Sequence, residues 1–314
     1  MNQQFLKDVI EGLSKEPQKT LSSKYFYDAT GDALFVKIMA MPEYYLTNAE
    51  MDIFKNKTDE LIEALALNKG LHYEFIEFGA GDGTKTIHLL SALIEQGYNF
   101  EYVPVDISEN ALEGLEKMLH SELPALKISA KKGDYFVTLE ELRHSTTPKV
   151  IMVLGSNIGN LSDDKATKFI YQLGANLVKG DKIVLGVDLI KEKEIVLPAY
   201  SDAQGITAAF NLNLLDRINK ELDTNFDTNQ FEHFANYEED EGIAKSFLRS
   251  KVKHEIKVAN HTFYFEKGET IQTEISRKYN DQIIKKILSE TDITWQYKIM
   301  DSKRLFADYI LMKH

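Results

Sequence analysis

The sequence predicts an α/β protein: a doubly wound, mostly parallel sheet, closed by a C-terminal antiparallel strand pair, with a small α+β subdomain beside it. Three observations carry this. Between about residues 73 and 190, the short apolar runs "FIEFG", "EYVPVD", "LKISA", "VIMVLG" and "KIVLGVDL" alternate with amphipathic stretches such as "TKTIHLLSALIEQ", "SENALEGLEKMLH" and "SDDKATKFIYQLGANL". In those stretches the apolar residues recur every three or four positions, the period of a helix with one buried face. Buried parallel strands read as near-continuous apolar runs, and right-handed crossovers place helices on both faces of the sheet.

The elements follow in order. The chain opens on the polar, amphipathic "MNQQFLKDVIEGLSKEPQKT" and the aromatic-rich "YFYDATGDALFVKIMAMPEYYLTNAE". After the alternating region comes the helical "AQGITAAFNLNLLDRINKEL" and then period-two alternation in "KVKHEIKVANHTFYFEKGETIQTEI", with "NHT" as the best strand break and Gly268 as a second turn. The last stretch, "DITWQYKIMDSKRLFADYILMKH", reads as two strands joined by a polar turn, long enough to rejoin the sheet. The predicted sheet domain is 51–190 with 280–314; the predicted subdomain is 15–50 with 191–279.

Composition excludes several classes. With 314 residues, 43% hydrophobic, the chain can bury a sizeable core. A net charge of −12 argues against nucleic acid as a partner, since phosphate contacts need a basic face. No apolar run reaches membrane-spanning length, and the N-terminus lacks the layout of a signal peptide, so a cytoplasmic protein acting on a small molecule, as a monomer, is expected. There are no cysteines. His72, His88, His120, His144, His254 and His261 are scattered without ligand spacing, so no metal is expected.

The loop "EFGAGDGTK" joins the first strand to the first helix, at the sheet edge where open α/β folds bind ligands. Gly79 and Gly81 start a dinucleotide fingerprint, but Thr84 stands where its third glycine would be. Close pyrophosphate docking is therefore unsupported, which argues against an NAD-dependent oxidoreductase. Asp106 ends the second strand, where an acid accepts both hydroxyls of a ribose; as a helix cap it is the poorer choice beside Ser108. In "KKGDYF", Asp134 could accept from an adenine amino group while Tyr135 packs on the ring. S-adenosylmethionine (SAM), an adenosyl donor without phosphate, fits all three features.

"YFYDATGDALFVKIMAMPEYYLTNAE", "EFGAGDGTKT", "LGSNIGN", "GVDLIKEKEIVLPAYSDAQGITAAFNLN" and "TEIS" together resemble the histidine-specific SAM-dependent methyltransferase family, from about residue 18 to the C-terminus. The resemblance implies a Rossmann-like class I SAM methyltransferase sheet. It implies trimethylation of the α-amino group of L-histidine to hercynine, the first step towards ergothioneine. By matching motifs it implies SAM contacts at Gly79, Lys85, Asp106, Asp134 and Tyr135. Tyr44, Asn160 and Tyr200 would hold the amino-acid head group, with Tyr27 and Asn160 near the reacting amine. Glu274 and Ser276 would grip the imidazole. The chain departs from the pattern in "GIAKSFLRS", where Ser246 or a neighbour replaces a methionine, which keeps another acceptor such as tryptophan open.

The residue types suit the chemistry. A neutral amine must be held in line with the departing sulfur, and Asn160 and the tyrosines orient an amine without fixing it as a cation. Glu274 and Ser276 can satisfy both ring nitrogens of a histidine. On spacing alone the same pair could face solvent on a strand, the four tyrosines Tyr25, Tyr27, Tyr44 and Tyr45 could be core aromatics, and Lys85 a solvated first-turn lysine. A non-catalytic SAM- or amino-acid-binding module is the remaining alternative.

Overall fold

The computed structural model describes residues 3–314 apart from positions 134 and 144, with backbone alone for Tyr135, Phe136 and Leu142. The chain divides into two compact units, Leu46–Ile190 with Lys278–His314, and Met1–Tyr45 with Lys191–Arg277.

The first unit is built on a seven-stranded sheet: β1 (His72–Phe78), β2 (Asn99–Asp106), β3 (Lys131–Lys132), β4 (Lys149–Val153), β5 (Lys182–Asp188), β6 (Ile293–Met300) and β7 (Phe306–Lys313). Across the sheet they run β6-β7-β5-β4-β1-β2-β3. β1 to β5 are mutually parallel, whereas β7 runs antiparallel to both β5 and β6. This is the doubly wound order of a class I SAM methyltransferase sheet, with the C-terminal antiparallel pair that the last apolar stretch predicts.

The helices are α1 (Tyr45–Asn56), α2 (Thr58–Leu65), α3 (Thr86–Glu95), α4 (Glu109–Glu122), α5 (Tyr135–Leu142), α6 (Asp163–Ala175) and α7 (Asp281–Leu288). Successive strand residues feed opposite faces. Ile76, Val103, Ile151 and Ile183 pack with Ile170 and Leu173 of α6 and with Ile284 and Ile287 of α7. Phe75, Tyr102, Val150 and Val184 pack instead with Ile53 and Phe54 of α1, Leu61 of α2, Leu89 of α3 and Leu115 of α4. Both faces being covered is why the strands read as unbroken apolar runs.

One element differs from expectation. The run "LKISA" contributes a lone parallel bridge from Ile128 to Tyr102, and ladder pairing resumes at Lys131–Lys132 beside Val105 and Asp106. This is the sheet's edge, and a two-residue strand preceded by exposed Lys127 and Ser129 and ending on exposed Lys132 keeps that edge from templating another chain.

The strand order reverses at β1, which lies between β2 and β4. Phe78 is in register with Val105 on one side and Val153 on the other, so three carboxyl ends line up there. That edge is where ligands bind in open α/β sheets.

The second unit is α+β. Its four-stranded sheet orders Lys19–Thr20, Thr270–Arg277, Ile243–Ser250 and Phe231–Glu238, and a separate hairpin pairs His254–Val258 with His261–Phe265. The hairpin turns at Ala259–Asn260, in the expected "NHT" break, with Ala259 at φ 50°. The helix Ile206–Leu222 lays Phe210, Leu214 and Ile218 into a core with Phe231, Leu248 and Ile271. Its first turn is secured by Asp202, whose carboxylate accepts Ile206 N–H at 3.0 Å and Thr207 N–H at 2.8 Å. Among the described residues, no helix is long and apolar enough to cross a membrane.

Candidate active site

The glycine loop leaves β1 at the reversal point. Gly79, Gly81 and Gly83 all have positive φ, of 68°, 57° and 68°, a region where an L side chain is strained. Gly79 N–H donates to Val105 O at 2.8 Å, which fastens the loop to β2. A Cβ on Gly83 would run into the Leu115 side chain, so the missing side chain lets the loop settle on α4. At Gly81 a Cβ would meet nothing within 4 Å; the backbone there faces open space. Asp82 Oδ1 accepts Thr84 N–H at 3.1 Å and Thr84 Oγ1–H at 2.9 Å, so Thr84 supports the loop from within.

Asp106 lies half-buried at the end of β2, its Oδ1 accepting Ser108 N–H at 2.9 Å. Ser108 is the residue that caps α4, accepting Ala111 N–H at 3.3 Å. The cap reading of Asp106 is thereby replaced by a loop bond, which leaves lone pairs for a diol. Asp134 and the Tyr135 side chain lie outside the described residues; Tyr135 opens α5. Beside the ends of β1 and β4 is a cavity of about 460 Å³ lined by the apolar Phe78, Val153, Ile158, Leu161 and Phe169 and by the polar Asn157, Lys165, Lys168 and Gln172. Asn160 is exposed at the end of the short 3₁₀ turn Asn157–Asn160 that follows β4. Open backbone, a diol acceptor and a partly apolar cavity suit an adenosyl group without phosphate.

Under the loop lies a group of charges that sequence reasoning missed. Lys85 pairs with Glu50 of α1, which is 1% exposed. Glu77 of β1 accepts Tyr102 O–H at 2.6 Å and Thr86 O–H at 3.0 Å; burial pushes its carboxyl up to about 7 against the opposing pull of Tyr102, Lys85 and Thr86. Burial, then the Glu50 charge, holds the Asp308 carboxyl of β7 well above the usual carboxylate range. The solvated reading of Lys85 fails here. A signal existed: an acid inside an otherwise apolar strand run, in "FIEFG" and in "LFADYI", is costly to bury without a reason.

Apart from Asn160, which belongs to the first unit, the expected acceptor contacts fall in the second unit. Ser246, fully buried, donates to Glu274 Oε2 at 3.2 Å across paired strands. Tyr200 O–H donates to Ser276 Oγ at 2.7 Å, and both residues are buried. The solvent-facing reading of Glu274 and Ser276 is overturned by a register shift between Gln272 and Glu274, a bulge at Thr273. Thr273 turns inward to donate to Asn211 Oδ1 at 2.6 Å and to Ser246 O at 3.1 Å, and the alternation restarts with Ser276 buried. Tyr44 packs between two apolar clusters of this unit, one of them built around Tyr200 and Tyr237. Tyr27 is 42% exposed and sits edge-on to Phe35 and Phe210, which the core-aromatic reading does not describe.

On the strand beside Ser246, His233 buries its Nε2 without a hydrogen-bond partner, and burial lowers it from 6.5 to about 4 against a weak opposing pull from Asp202. A histidine depressed in the fold contributes stability that is full above pH 6.5 and lost as pH falls towards 4. The expected loss is up to roughly 3 kcal/mol. Denaturant melts of His233→Gln should lack most of that acid-side slope; a slope equal to wild type would assign it elsewhere.

No group of three or more histidine, aspartate or glutamate side chains is placed to hold a metal among the described residues. Comparison with known proteins bears on this geometry. A family model described as "Histidine-specific methyltransferase, SAM-dependent" matches residues 5–313. The chain is similar to the histidine N-alpha-methyltransferase of Mycolicibacterium smegmatis, 34% identical over 289 residues that cover 91% of this chain and 88% of the relative. It is 29% identical to the ergothioneine biosynthesis protein 1 of Schizosaccharomyces pombe, covering 98% of this chain and 40% of that protein. A more distant match is the 4-dimethylallyltryptophan N-methyltransferase of Claviceps fusiformis, 30% identical over 62% of this chain and 56% of its own length.

Proposed function

Because the chain belongs to the histidine-specific, SAM-dependent methyltransferase family, we propose that it methylates the α-amino group of free L-histidine in successive steps to hercynine. The observation that carries the choice of acceptor is the polar array Ser246–Glu274 with Tyr200–Ser276. It offers a carboxylate and a hydroxyl to a planar ring bearing two nitrogens.

Bound SAM supplies an electrophilic methyl on a sulfonium, with S-adenosylhomocysteine as the leaving group. The first unit's residues would hold it: Asp106 would accept the ribose hydroxyls, the backbone at Gly79 and Gly81 would lie against the donor, Lys85 would meet its carboxylate, and Asp134 and Tyr135 would take the adenine. Tyr44 and Tyr200 fix the amino-acid head group, and Asn160 and Tyr27 orient the amine. These are neutral groups, so the amine is free to lose its proton and present a lone pair, which a carboxylate partner would oppose. Holding the nucleophile in line supplies much of the rate.

Ser246 favours one second reading. Ser246 or a neighbour, standing where the family pattern has methionine, would give the ring end of the pocket less bulk, and tryptophan is the acceptor to compare. Incubating the protein with SAM and a panel of amino acids, followed by mass spectrometry, tests both. Mono-, di- and trimethylated histidine are expected. Product from tryptophan but none from histidine would transfer the assignment, and no product from any acceptor would leave a binding module.

A further inference from the structure

Glu50 of α1 reaches two separate parts of the ligand edge. Besides pairing with Lys85 Nζ, its carboxylate accepts Gly155 N–H at 2.9 Å on each oxygen. Lys85 closes the loop after β1, and Gly155 opens the loop after β4 that ends at Asn160. Gly155 and Ser156 have φ of 69° and 56°, a turn that needs outside constraint. One constraint is Glu50; another is the bond from Asp188 N–H to Ser156 Oγ at 3.0 Å. Gly186 of β5 makes room for the carboxylate: a Cβ there would collide with Glu50 Oε1 and lie 2.9 Å from Asp308 Oδ1. Asp308, whose carboxyl is held up by burial, has both oxygens buried without a hydrogen-bond partner.

We propose that Glu50 is a positioning residue for methyl transfer: it fixes Lys85 as the cation that receives the donor's carboxylate, and it ties that cation to the loop presenting Asn160. The proposal rests on the assignment of Lys85 to SAM. Lys85 is faced by Glu50 from α1, Glu77 from β1 and Asp308 from β7. Burial alone would pull the ammonium down; Glu50 is the strongest of the influences that raise it instead. Without Glu50, Lys85 gives up its proton more readily as pH rises, and an uncharged amine holds a carboxylate poorly.

Calorimetric titration with S-adenosylhomocysteine between about pH 7 and 9 separates the possibilities. Wild-type affinity is expected to change little across that range. Lys85→Met should bind about tenfold more weakly, because a charge-assisted hydrogen bond is lost. Glu50→Gln should be weakened at pH 7 and fall further towards pH 9, and the double variant should match Lys85→Met. Wild-type affinity in Lys85→Met would end the cofactor role of Lys85. A weak Lys85→Met beside a Glu50→Gln with unchanged, pH-independent affinity would keep that role and overturn the one given to Glu50. If Glu50→Gln does not fold, Glu50→Asp keeps the charge but is too short to reach both partners. Reduced affinity with little pH dependence is then expected, and wild-type affinity would overturn the proposal.

Discussion

Glu274→Ala should lower kcat/KM for histidine by about 100-fold, with most of the loss in KM. An imidazole N–H donating to a carboxylate is a charge-assisted hydrogen bond, and losing one costs about 1.5–3 kcal/mol, or roughly 10- to 150-fold. Histidine would sit at the upper end because the same substitution also strips Ser246 Oγ of its acceptor in a fully buried setting. Affinity for S-adenosylhomocysteine should hold within about twofold, since the residues assigned to the donor belong to the other unit. Activity on tryptophan should fall less than activity on histidine, so the ratio between the two acceptors measures the discrimination. Steady-state kinetics with both acceptors checks this, and equal losses on both would remove Glu274 from the ring's recognition.

The largest expected effect on stability comes from Lys278→Met. Lys278 Nζ lies 2.7 Å from Asp188 Oδ2, and neither side chain has any exposure. Removing one partner of such a buried pair typically costs about 3–5 kcal/mol, a large part of the stability of a domain. Asp188 also ends β5, and its carbonyl accepts Tyr279 N–H at 2.7 Å, so disturbance there reaches the strand and the segment returning to the sheet. The double variant Lys278→Met/Asp188→Leu should recover most of the loss, because well-packed apolar replacements of a buried ion pair are often neutral. Urea unfolding followed by the fluorescence of Trp295, the chain's one tryptophan and a residue of β6, reports on this unit directly. A loss below about 1 kcal/mol would show that the pair contributes little.

The sheet was legible because its two covered faces leave long apolar strings in the sequence, and because helices of three-to-four periodicity separate them. Ser108 was legible as a cap from residue type and position. β3 was not, since an edge strand needs few apolar residues and shows its polarity instead. The inward turn of Ser276 was hidden for another reason: the bulge at Thr273 adds a residue on one strand, and period-two reasoning has no way to place that addition. Glu50 stayed hidden because its partners Lys85, Gly155 and Gly186 come from other elements and meet it only through the tertiary fold. The odd acids in "FIEFG" and "LFADYI" were visible as letters, but their company was not.

The position of β7 has a consequence for biosynthesis. It is an interior strand, flanked by β5 and β6, yet it starts at Phe306, after the whole excursion that follows Asp188. While the ribosome works through those intervening residues, β5 carries an unpaired flank of backbone donors and acceptors, the kind of surface on which nascent chains cling to one another. The earlier parallel strands cannot seal themselves; they wait for a closing piece that is translated last among the strands of the sheet.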